Sequence, residues 1–376
     1  MRIALFTTDL AGHSGWSTYA RDLSREMSKQ GHSVLALVQK KIGANWCQEA
    51  ELLGEAHHLL SPWVPFCART APIRRILEEF KPDVIHFMAE PYALLIPFLH
   101  KRKSVYCLTL HGTYAILPFR SGKITYNRMR KALEQCDHIF SVSNYTKDHL
   151  QAVEHGLWKQ LKLNEKVSVL PNAIDISSIA ADTGRRQQHT PSVVSIGAVK
   201  DRKGYREIIA ALALLQKAAH RFRYHVYGSL SQDPEYVTGL RALIADYALA
   251  DSVTLHGSVS NETLAQAYKN ADAFILLSKQ TETHFEGFGL VFLEANAHGV
   301  PVIGPVTGGC PEAIDDGKSG FVCDPFNAEK VAEKLQAILA GNIDRHACRQ
   351  WAEKHSSVHA AATMLRTYSR LIDRKS

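Results

Sequence analysis

The stretch that decides the fold reads His284-Phe285-Glu286-Gly287-Phe288-Gly289-Leu290-Val291-Phe292-Leu293-Glu294-Ala295-Asn296-Ala297-His298-Gly299-Val300-Pro301-Val302-Ile303-Gly304. A carboxylate is followed by two glycines, and an apolar run with a second carboxylate then ends at a Gly-Val-Pro stop before a short strand. Glycines ahead of a helix let a ligand approach backbone N–H groups closely, and a helix N-terminus favours negative charge. The stretch therefore predicts a helix whose start binds an anionic ligand.

The two carboxylates add a second kind of contact to this helix start. Glu286 lies in the predicted loop and Glu294 about one turn inside the predicted helix, so both could reach one ligand over the helix N-terminus. Carboxylates pair with hydroxyl groups, and free N–H groups pair with phosphate. Together these partners describe a sugar nucleotide. The alternative is a buried helix start capped by an acidic loop.

The spacing Glu286-x7-Glu294, with Gly287-Phe288-Gly289-Leu290 between, resembles the donor-site motif of the retaining family-four glycosyltransferases. Pro301-Val302-Ile303 and Thr307-Gly308-Gly309-Cys310-Pro311-Glu312 extend the resemblance. It implies an α/β, GT-B fold, in which two Rossmann-like domains face each other across a cleft and the C-terminal helix crosses back to the first domain. It also implies that Glu294 binds the donor's ribose and Glu286 the transferred sugar, beside the N–H groups of 287–290.

Composition sets broad limits on what the chain does. Its 376 residues suggest two domains, and 45% hydrophobic with 22% charged residues is typical of a soluble globular protein. No apolar run approaches the roughly 20 residues needed to span a bilayer, and the N-terminus reads as a first strand. Seven cysteines without paired spacing indicate a reduced cytosol. The net charge of +7 favours anionic partners, but no basic block, zinc spacing or aromatic RNA-binding signature indicates nucleic acid.

Strand-like runs alternate with helical ones along the whole chain, which is typical of a parallel α/β architecture. We predict strands at 3–6, 34–38, 83–86, 105–110, 138–142, 193–196, 224–228, 253–256 and 273–277. Helices are predicted after residue 15, after residue 143, and at 70–80, 128–135, 203–219, 234–247, 262–270 and 327–339, with two more up to the C-terminus.

The predicted domain boundaries follow from a polar, aperiodic segment, residues 177–191, which we interpret as a linker. Residues 1–176 form a Rossmann-like acceptor-side domain, and residues 192–359 form a Rossmann-like domain for the nucleotide-sugar donor. By the resemblance, about 360–376 return to complete the first domain.

A phosphate loop is predicted in Gly197-Ala198-Val199-Lys200-Asp201-Arg202-Lys203-Gly204, directly after a strand. It resembles the family loop in which an arginine after the first glycine and a lysine before the last hold the donor diphosphate. Lys203 matches that lysine, whereas Ala198 stands where the family has arginine. Lys200 or Arg202 is the candidate substitute. The alternative is an ordinary solvated β–α loop.

Candidate residues in the first half are His111, Gly12 and Gly15. His111 ends a predicted strand, where α/β sheets expose ligand-binding groups, and matches the family's histidine near the transferred sugar. Gly12-His13-Ser14-Gly15 resembles the family's glycine loop beside the acceptor and diphosphate, although a plain tight turn explains it almost as well.

The predicted activity is retaining transfer of a sugar from a nucleoside-diphosphate sugar, most simply UDP or GDP, to a hydroxyl of a glycan, a lipid-linked glycan or a small molecule. Glu286, Lys203 and His111 are the candidate catalytic residues. No metal and no cofactor are predicted, because no Asp-x-Asp string occupies a suitable turn and the family uses lysine and a helix dipole instead. The rivals are a phosphorylase or an epimerase on the same fold, and a non-catalytic nucleotide-sugar-binding protein.

The partners expected from this reading are the donor and a glycan or lipid-linked acceptor, with no nucleic acid. A loose basic cluster could meet an acidic acceptor or the inner face of a membrane, although such a run is more often a solvated helix face. Its members are Arg120, Lys123, Arg128, Arg130 and Lys131. The expected location is the cytoplasm.

Overall fold

A computed structural model describes residues 1–12, 14–61, 66–99, 103–177, 179, 190–281 and 283–375, with 66–69 described by their backbone alone. The chain divides into two compact units, Met1–Asp175 with His355–Ser376, and Ile176–Lys354. His13 and most of the predicted linker, 177–191, lie outside the described residues.

The first unit contains a seven-stranded sheet in the order β3-β2-β1-β4-β5-β6-β7, with every pair parallel. Buried apolar runs form its central strands, as expected for a sheet that helices cover on both faces. The strand order reverses between β1 and β4, the kind of point at which ligands bind in such sheets. The strands are β1 (Arg2–Phe6), β2 (Ser33–Val38), β3 (Gln48–Glu51), β4 (Val84–Phe87), β5 (Val105–Leu110), β6 (His138–Ser141) and β7 (Val167–Val169).

The helices of the first unit pack on this sheet, and the C-terminal helix, Ser357–Asp373, packs among them. Tyr368 of that helix is fully buried in one core with Tyr19 and Leu23. The Tyr368 hydroxyl also bonds Nδ1 of the fully buried His86, whose Nε2 lies 2.8 Å from Thr109 Oγ1. The other helices are α1 (Gly15–Lys29), α2 (Phe66–Phe80), α3 (Thr113–Arg120), α4 (Lys123–Gln135), α5 (Asn144–Val153) and α6 (His155–Gln160).

The second unit contains a six-stranded parallel sheet in the order β10-β9-β8-β11-β12-β13. Its order reverses between β8 and β11. The strands are β8 (Ser192–Ile196), β9 (Arg223–Tyr227), β10 (Val253–Gly257), β11 (Ala273–Ile275), β12 (Val302–Pro305) and β13 (Gly320–Cys323). The helices are α7 (Tyr205–Lys217), α8 (Pro234–Asp246), α9 (Asn261–Asn270), α10 (Leu290–Ala297), α11 (Ala328–Leu339) and α12 (Arg345–Lys354).

The observed elements confirm the predicted alternation and differ from it at a few ends. The helix predicted from residue 203 begins at Tyr205, because Asp201–Lys203 forms a 3-10 turn and Gly204 adopts a left-handed φ of 74°. Five elements, β3, α3, α6, β7 and β13, were not predicted. β3 is an edge strand with exposed ends, so its sequence lacks an apolar pattern.

Residues 355–359, which the sequence assigned to the second domain, lie in the first unit. Backbone pairing holds them there, because Ile174 N donates to His355 O (3.1 Å) and Ser357 N donates to Ile174 O (2.8 Å). Within the part of the chain that the structure describes, no helix is long and apolar enough to cross a lipid bilayer.

Candidate functional site

The glycine-bounded loop before α10 has a backbone that its neighbours fix closely. Gly289 has a φ of 94°, and a Cβ there would lie 2.7 Å from Cδ2 of Phe292. Gly308 has a φ of 65°, and its Cβ would lie 2.5 Å from Glu286 O. Gly309 N donates to the same carbonyl at 2.8 Å. Gly308 therefore lets the 307–309 loop close on Glu286, and the Gly309 N–H holds the main chain of Glu286 in place.

The carboxylate of Glu286 meets two cations from the turn that follows β8. Lys203 Nζ donates to Glu286 Oε1, and Arg202 Nη1 lies 3.0 Å from the same oxygen, an ion pair without hydrogen-bond alignment. Burial alone would raise the pKa of Glu286, but the two cations outweigh it and lower that pKa to about 2. Each of the three side chains is between 16% and 23% exposed to solvent, so a ligand can reach them.

Local geometry explains why both cations face one carboxylate. A Cβ on Gly204 would lie 2.0 Å from Leu277 O, so only glycine lets the turn approach the segment after β11 this closely. Lys279 N donates to Arg202 O at 2.7 Å, which ties the two segments together. β8 and β11 are neighbours at the strand-order reversal, so the site lies where such sheets bind ligands.

Two further lysines shape the charge around this turn. Lys279 Nζ donates to Asp201 (2.8 Å) and Glu207 (3.0 Å), and its positive charge offsets the negative charges of these two carboxylates near the turn. Burial lowers the pKa of Lys200, and the charges of Arg202 and Lys203 lower it further. The site therefore presents two cations against one carboxylate, with the charge of Lys200 nearby, which suits an anionic ligand.

Glu294 belongs to a different set of contacts. It lies in α10, half-buried, and its Oε2 accepts a hydrogen bond from Tyr268 OH at 2.9 Å. Burial and the adjacent carboxylate raise the pKa of Tyr268 well above its usual value, so the phenol stays a donor. The Tyr268 ring also stacks on His298, with centroids 5.4 Å apart. Tyr268 was not singled out from the sequence, because it lies 26 residues from its partner.

In the first unit, His111 follows β5 and is held through its ring. Nε2 lies 2.8 Å from Met88 O, and the ring meets Tyr19 edge-on at 4.7 Å. A carbonyl only accepts, so Nε2 carries the proton. Burial lowers the pKa of His111 to about 4, against the opposite effect of the bond to Met88. His111 is therefore neutral near pH 7, with the Nδ1 lone pair available.

Gly12 and Gly15 lie between β1 and the first turn of α1. Gly12 has a φ of 82°, a left-handed conformation that favours glycine, and a Cβ there would meet the flexible end of the Arg21 side chain. Its N–H donates to Ser17 Oγ at 2.6 Å. Gly15 is the first residue of α1, after the N-cap Ser14, and its Cβ position is open.

The structure thus brings Glu286, Lys203 and Arg202 together in the second unit, and pairs Glu294 with Tyr268 there. His111, Gly12 and Gly15 lie in the first unit. No group of three or more His, Cys, Asp or Glu side chains that could hold a metal ion occurs among the described residues.

Two parallel α/β units, one with a cationic turn beside a glycine-bounded helix start, are typical of proteins that bind anionic ligands. Residues 181–355 match the family described as Glycosyl transferases group 1, and residues 13–178 match Glycosyltransferase Family 4. Together the two matches extend over most of the chain. The chain belongs to the family-four, group 1 glycosyltransferases.

Relatives agree with this assignment. A GDP-mannose-dependent alpha-(1-6)-phosphatidylinositol monomannoside mannosyltransferase of Mycobacterium tuberculosis is 26% identical, over 92% of this chain and 90% of its own length. A D-inositol 3-phosphate glycosyltransferase of Pseudarthrobacter chlorophenolicus is 29% identical, over 56% of this chain and 51% of its own.

Solved structures confirm the GT-B fold. Sucrose-phosphate synthase from Thermosynechococcus elongatus aligns with a TM-score of 0.78 at 19% identity, over the full length of both chains. A glycosyltransferase from Rickettsia africae aligns with a TM-score of 0.76 at 18% identity, over 99% of this chain and 98% of its own. Anabaena HepE in complex with UDP-glucose aligns with a TM-score of 0.72 at 16% identity, over 98% of this chain and 100% of its own.

Proposed function

We propose that this glycosyltransferase moves a sugar, with retention of its anomeric configuration, from a nucleoside-diphosphate sugar to a hydroxyl of a glycan or lipid-linked acceptor. The observation that carries the proposal is the ion-paired cluster of Glu286, Lys203 and Arg202 at the start of α10. It supplies cations for phosphates and a carboxylate for sugar hydroxyls within one site.

Lys203 and Arg202 would hold the donor diphosphate. The leaving diphosphate gains negative charge as the glycosidic bond breaks, so fixed cations beside it stabilise the transition state more than the ground state. Arg202 takes the role that the family gives to an arginine where this chain has Ala198. Because these side chains supply the positive charge, we propose that transfer needs no divalent metal and no cofactor.

Glu286 would exchange its cations for the sugar when the donor binds. Its pKa of about 2 keeps it ionised at every physiological pH, so it can only accept hydrogen bonds. Sugar hydroxyls are suitable donors, and the N–H groups of 287–290 would lie nearby. We propose no protein nucleophile: the leaving phosphate would take the acceptor's proton on the face from which it departs.

Glu294 would bind the donor's ribose. Tyr268 occupies its Oε2 and fixes the carboxylate, and a ribose with two hydroxyls can bond to the remaining acceptor positions. On the acceptor side, His111 would face the sugar through its Nδ1 and main-chain carbonyl, because Nε2 is engaged by Met88. Gly12 and Gly15 would lie beside the acceptor and the diphosphate.

The names of relatives narrow the substrates. One relative uses GDP-mannose, and a structural neighbour was solved with UDP-glucose, so GDP and UDP sugars are the donors to try first. Phosphatidylinositol monomannoside and D-inositol 3-phosphate, named in two relatives, suggest a phosphorylated polyol or lipid-linked acceptor.

Contact with the inner face of a membrane is part of the proposal, with the cytoplasm as the site of the reaction. Arg120 and Lys123 are exposed where α3 ends and α4 begins, beside Ile124, which is 51% exposed. Arg130 forms an ion pair with Glu134 at 3.7 Å, which removes part of the cluster's charge.

The test is a panel of UDP-, GDP-, ADP- and TDP-sugars, read first by thermal shift and then by donor cleavage with candidate acceptors. A ligand at 100 times its Kd stabilises the folded protein by about 2.7 kcal/mol, a clear shift. We expect one base to stabilise the protein and its sugar to be transferred with the anomeric proton coupling of the donor. Inversion at the anomeric carbon, or turnover that requires inorganic phosphate, would contradict the proposal.

A further inference from the structure

Glu90 is a fully buried carboxylate that none of the roles above uses. It begins the 3-10 segment Glu90–Phe98 after β4, inside an otherwise apolar run, and none of its surface is exposed. A buried carboxylate is costly unless hydrogen bonds compensate it. The structure records no ion pair to Glu90 among the described residues, so its bonds must come from N–H groups.

Three such N–H groups point at this carboxylate from two other segments. Glu90 Oε1 accepts from the main-chain N–H of His111 and from that of Gly112 at 3.1 Å. Oε2 accepts from the Trp16 indole N–H at 3.1 Å. Trp16 lies in the first turn of α1, and His111 and Gly112 follow β5. One side chain therefore joins the ends of both predicted ligand-facing loops.

The chain segment 88–90 holds His111 twice. Met88 O accepts a hydrogen bond from the His111 ring Nε2–H. The carboxylate of Glu90, two residues after Met88, accepts one from the main-chain N–H of His111. Tyr19 supports the ring edge-on. Gly112, with a φ of 149°, begins the turn into α3 and is held by the same oxygen of Glu90. Ring and main chain are thus fixed independently, and a neutral carbonyl at position 90 would satisfy only part of this network.

We propose that Glu90 is a positioning residue for sugar transfer, which holds His111 and Gly112 so that the His111 ring and carbonyl face the sugar. This inference rests on the role proposed for His111. Loss of the Glu90 carboxylate would release the main-chain anchor but leave the cations of the second unit unchanged. Catalysis would therefore suffer more than donor binding, because small misplacements near the reacting atoms lower rates strongly.

The same contacts give transfer a dependence on pH. Burial raises the pKa of Glu90 to about 7, against the lowering effect of its hydrogen bonds with backbone N–H groups and Trp16. The titratable groups that face it are His111, neutral above about pH 4, and Tyr114, whose pKa is raised by burial and by Glu90 itself. Protonation of Glu90 would place an O–H opposite N–H donors, and at least one of the three hydrogen bonds to the carboxylate would break. We therefore expect kcat to fall below pH 7.

The test compares Glu90→Gln, Glu90→Ala and Trp16→Phe in the full chain. Glu90→Ala should lower kcat on the order of ten- to a hundredfold, with donor KM changed less than threefold. Glu90→Gln keeps one carbonyl acceptor, so it should lose less activity and lose the acid limb of the kcat profile. Trp16→Phe leaves both Oε1 bonds and should lose the least. An acid limb near pH 7 that persists in Glu90→Gln would overturn the proposal.

A readout that does not need transfer separates this inference from the proposed function. In ¹⁵N–¹H spectra, His111 of the wild type should show a protonated Nε2, and Glu90→Gln should shift its backbone amide and ring signals. Unchanged His111 signals in Glu90→Gln would refute the positioning role even if no donor is turned over. Shifted signals with no turnover of any sugar nucleotide would support it while the proposed reaction fails. If Glu90→Ala does not fold by circular dichroism, Glu90→Gln still decides the question.

Discussion

Replacing Glu286 by glutamine should tighten the binding of the free nucleoside diphosphate while it slows transfer. In the structure, the carboxylate pairs with Lys203 and Arg202, the two cations proposed to hold the diphosphate. Phosphate must therefore compete with Glu286 for them. Glutamine keeps the shape and an acceptor oxygen but removes the competing charge.

The magnitude follows from the pKa of Glu286, which falls from 4.5 to about 2 in the folded protein. A difference of one pKa unit corresponds to about 1.4 kcal/mol, so the net stabilisation of the carboxylate is about 3 kcal/mol, or at most about three-hundredfold in affinity. Solvent reaches the 23% of the side chain that is exposed, and glutamine still accepts a hydrogen bond. We therefore expect roughly tenfold tighter binding of UDP or GDP.

The assay is isothermal titration of UDP and GDP at fixed ionic strength, paired with donor-saturation kinetics. kcat should fall on the order of a hundredfold, because the carboxylate acts where the sugar gains positive character. Glu333→Gln is the matched control, since Glu333 forms a surface ion pair with Lys330 at 2.9 Å in the same unit. Weaker or unchanged diphosphate binding in Glu286→Gln, with the control at wild-type values, would refute this reasoning.

Three further predictions concern the same unit. Lys203→Ala should lower kcat on the order of 10²–10³-fold, because the charge it faces grows towards the transition state, and kinetics within threefold of wild type would assign the role to Arg202 alone. Glu294→Gln should raise donor KM about ten- to a hundredfold with kcat nearly unchanged, because hydrogen bonds to the ribose are equally strong in the ground and transition states. A fall in kcat instead would reverse the roles of Glu286 and Glu294. EDTA should leave transfer intact, and activity lost to the chelator and restored by Mg²⁺ or Mn²⁺ would contradict the cationic turn as the diphosphate site.

Sequence was sufficient where the backbone itself is constrained. The glycines at 289 and 204 predicted a loop before a helix and a turn after a strand, and both exist because these two positions leave little room for a Cβ and have a positive φ. Buried apolar runs likewise predicted most strands of both sheets. Edge strand β3 was not predicted, because its exposed and half-exposed polar residues form no periodic apolar pattern.

Sequence was insufficient where contacts join distant segments. Spacing alone left Lys200 and Arg202 as equal substitutes for the family arginine, and only the 3-10 turn sets Arg202 beside Glu286. Glu90 carried a usable signal, since it is a single carboxylate within an apolar run. Its partners lie 21 and 74 residues away, so no local pattern could name them.

The central claim is that Lys203 itself holds the donor diphosphate, and ³¹P NMR of bound UDP or GDP tests it most directly. Binding to the wild type should shift and broaden the β-phosphorus signal. Lys203→Ala should remove most of that shift, while Lys217→Ala, an exposed lysine at the end of α7, should keep it. A β-phosphorus shift in Lys203→Ala equal to that of the wild type would contradict the account.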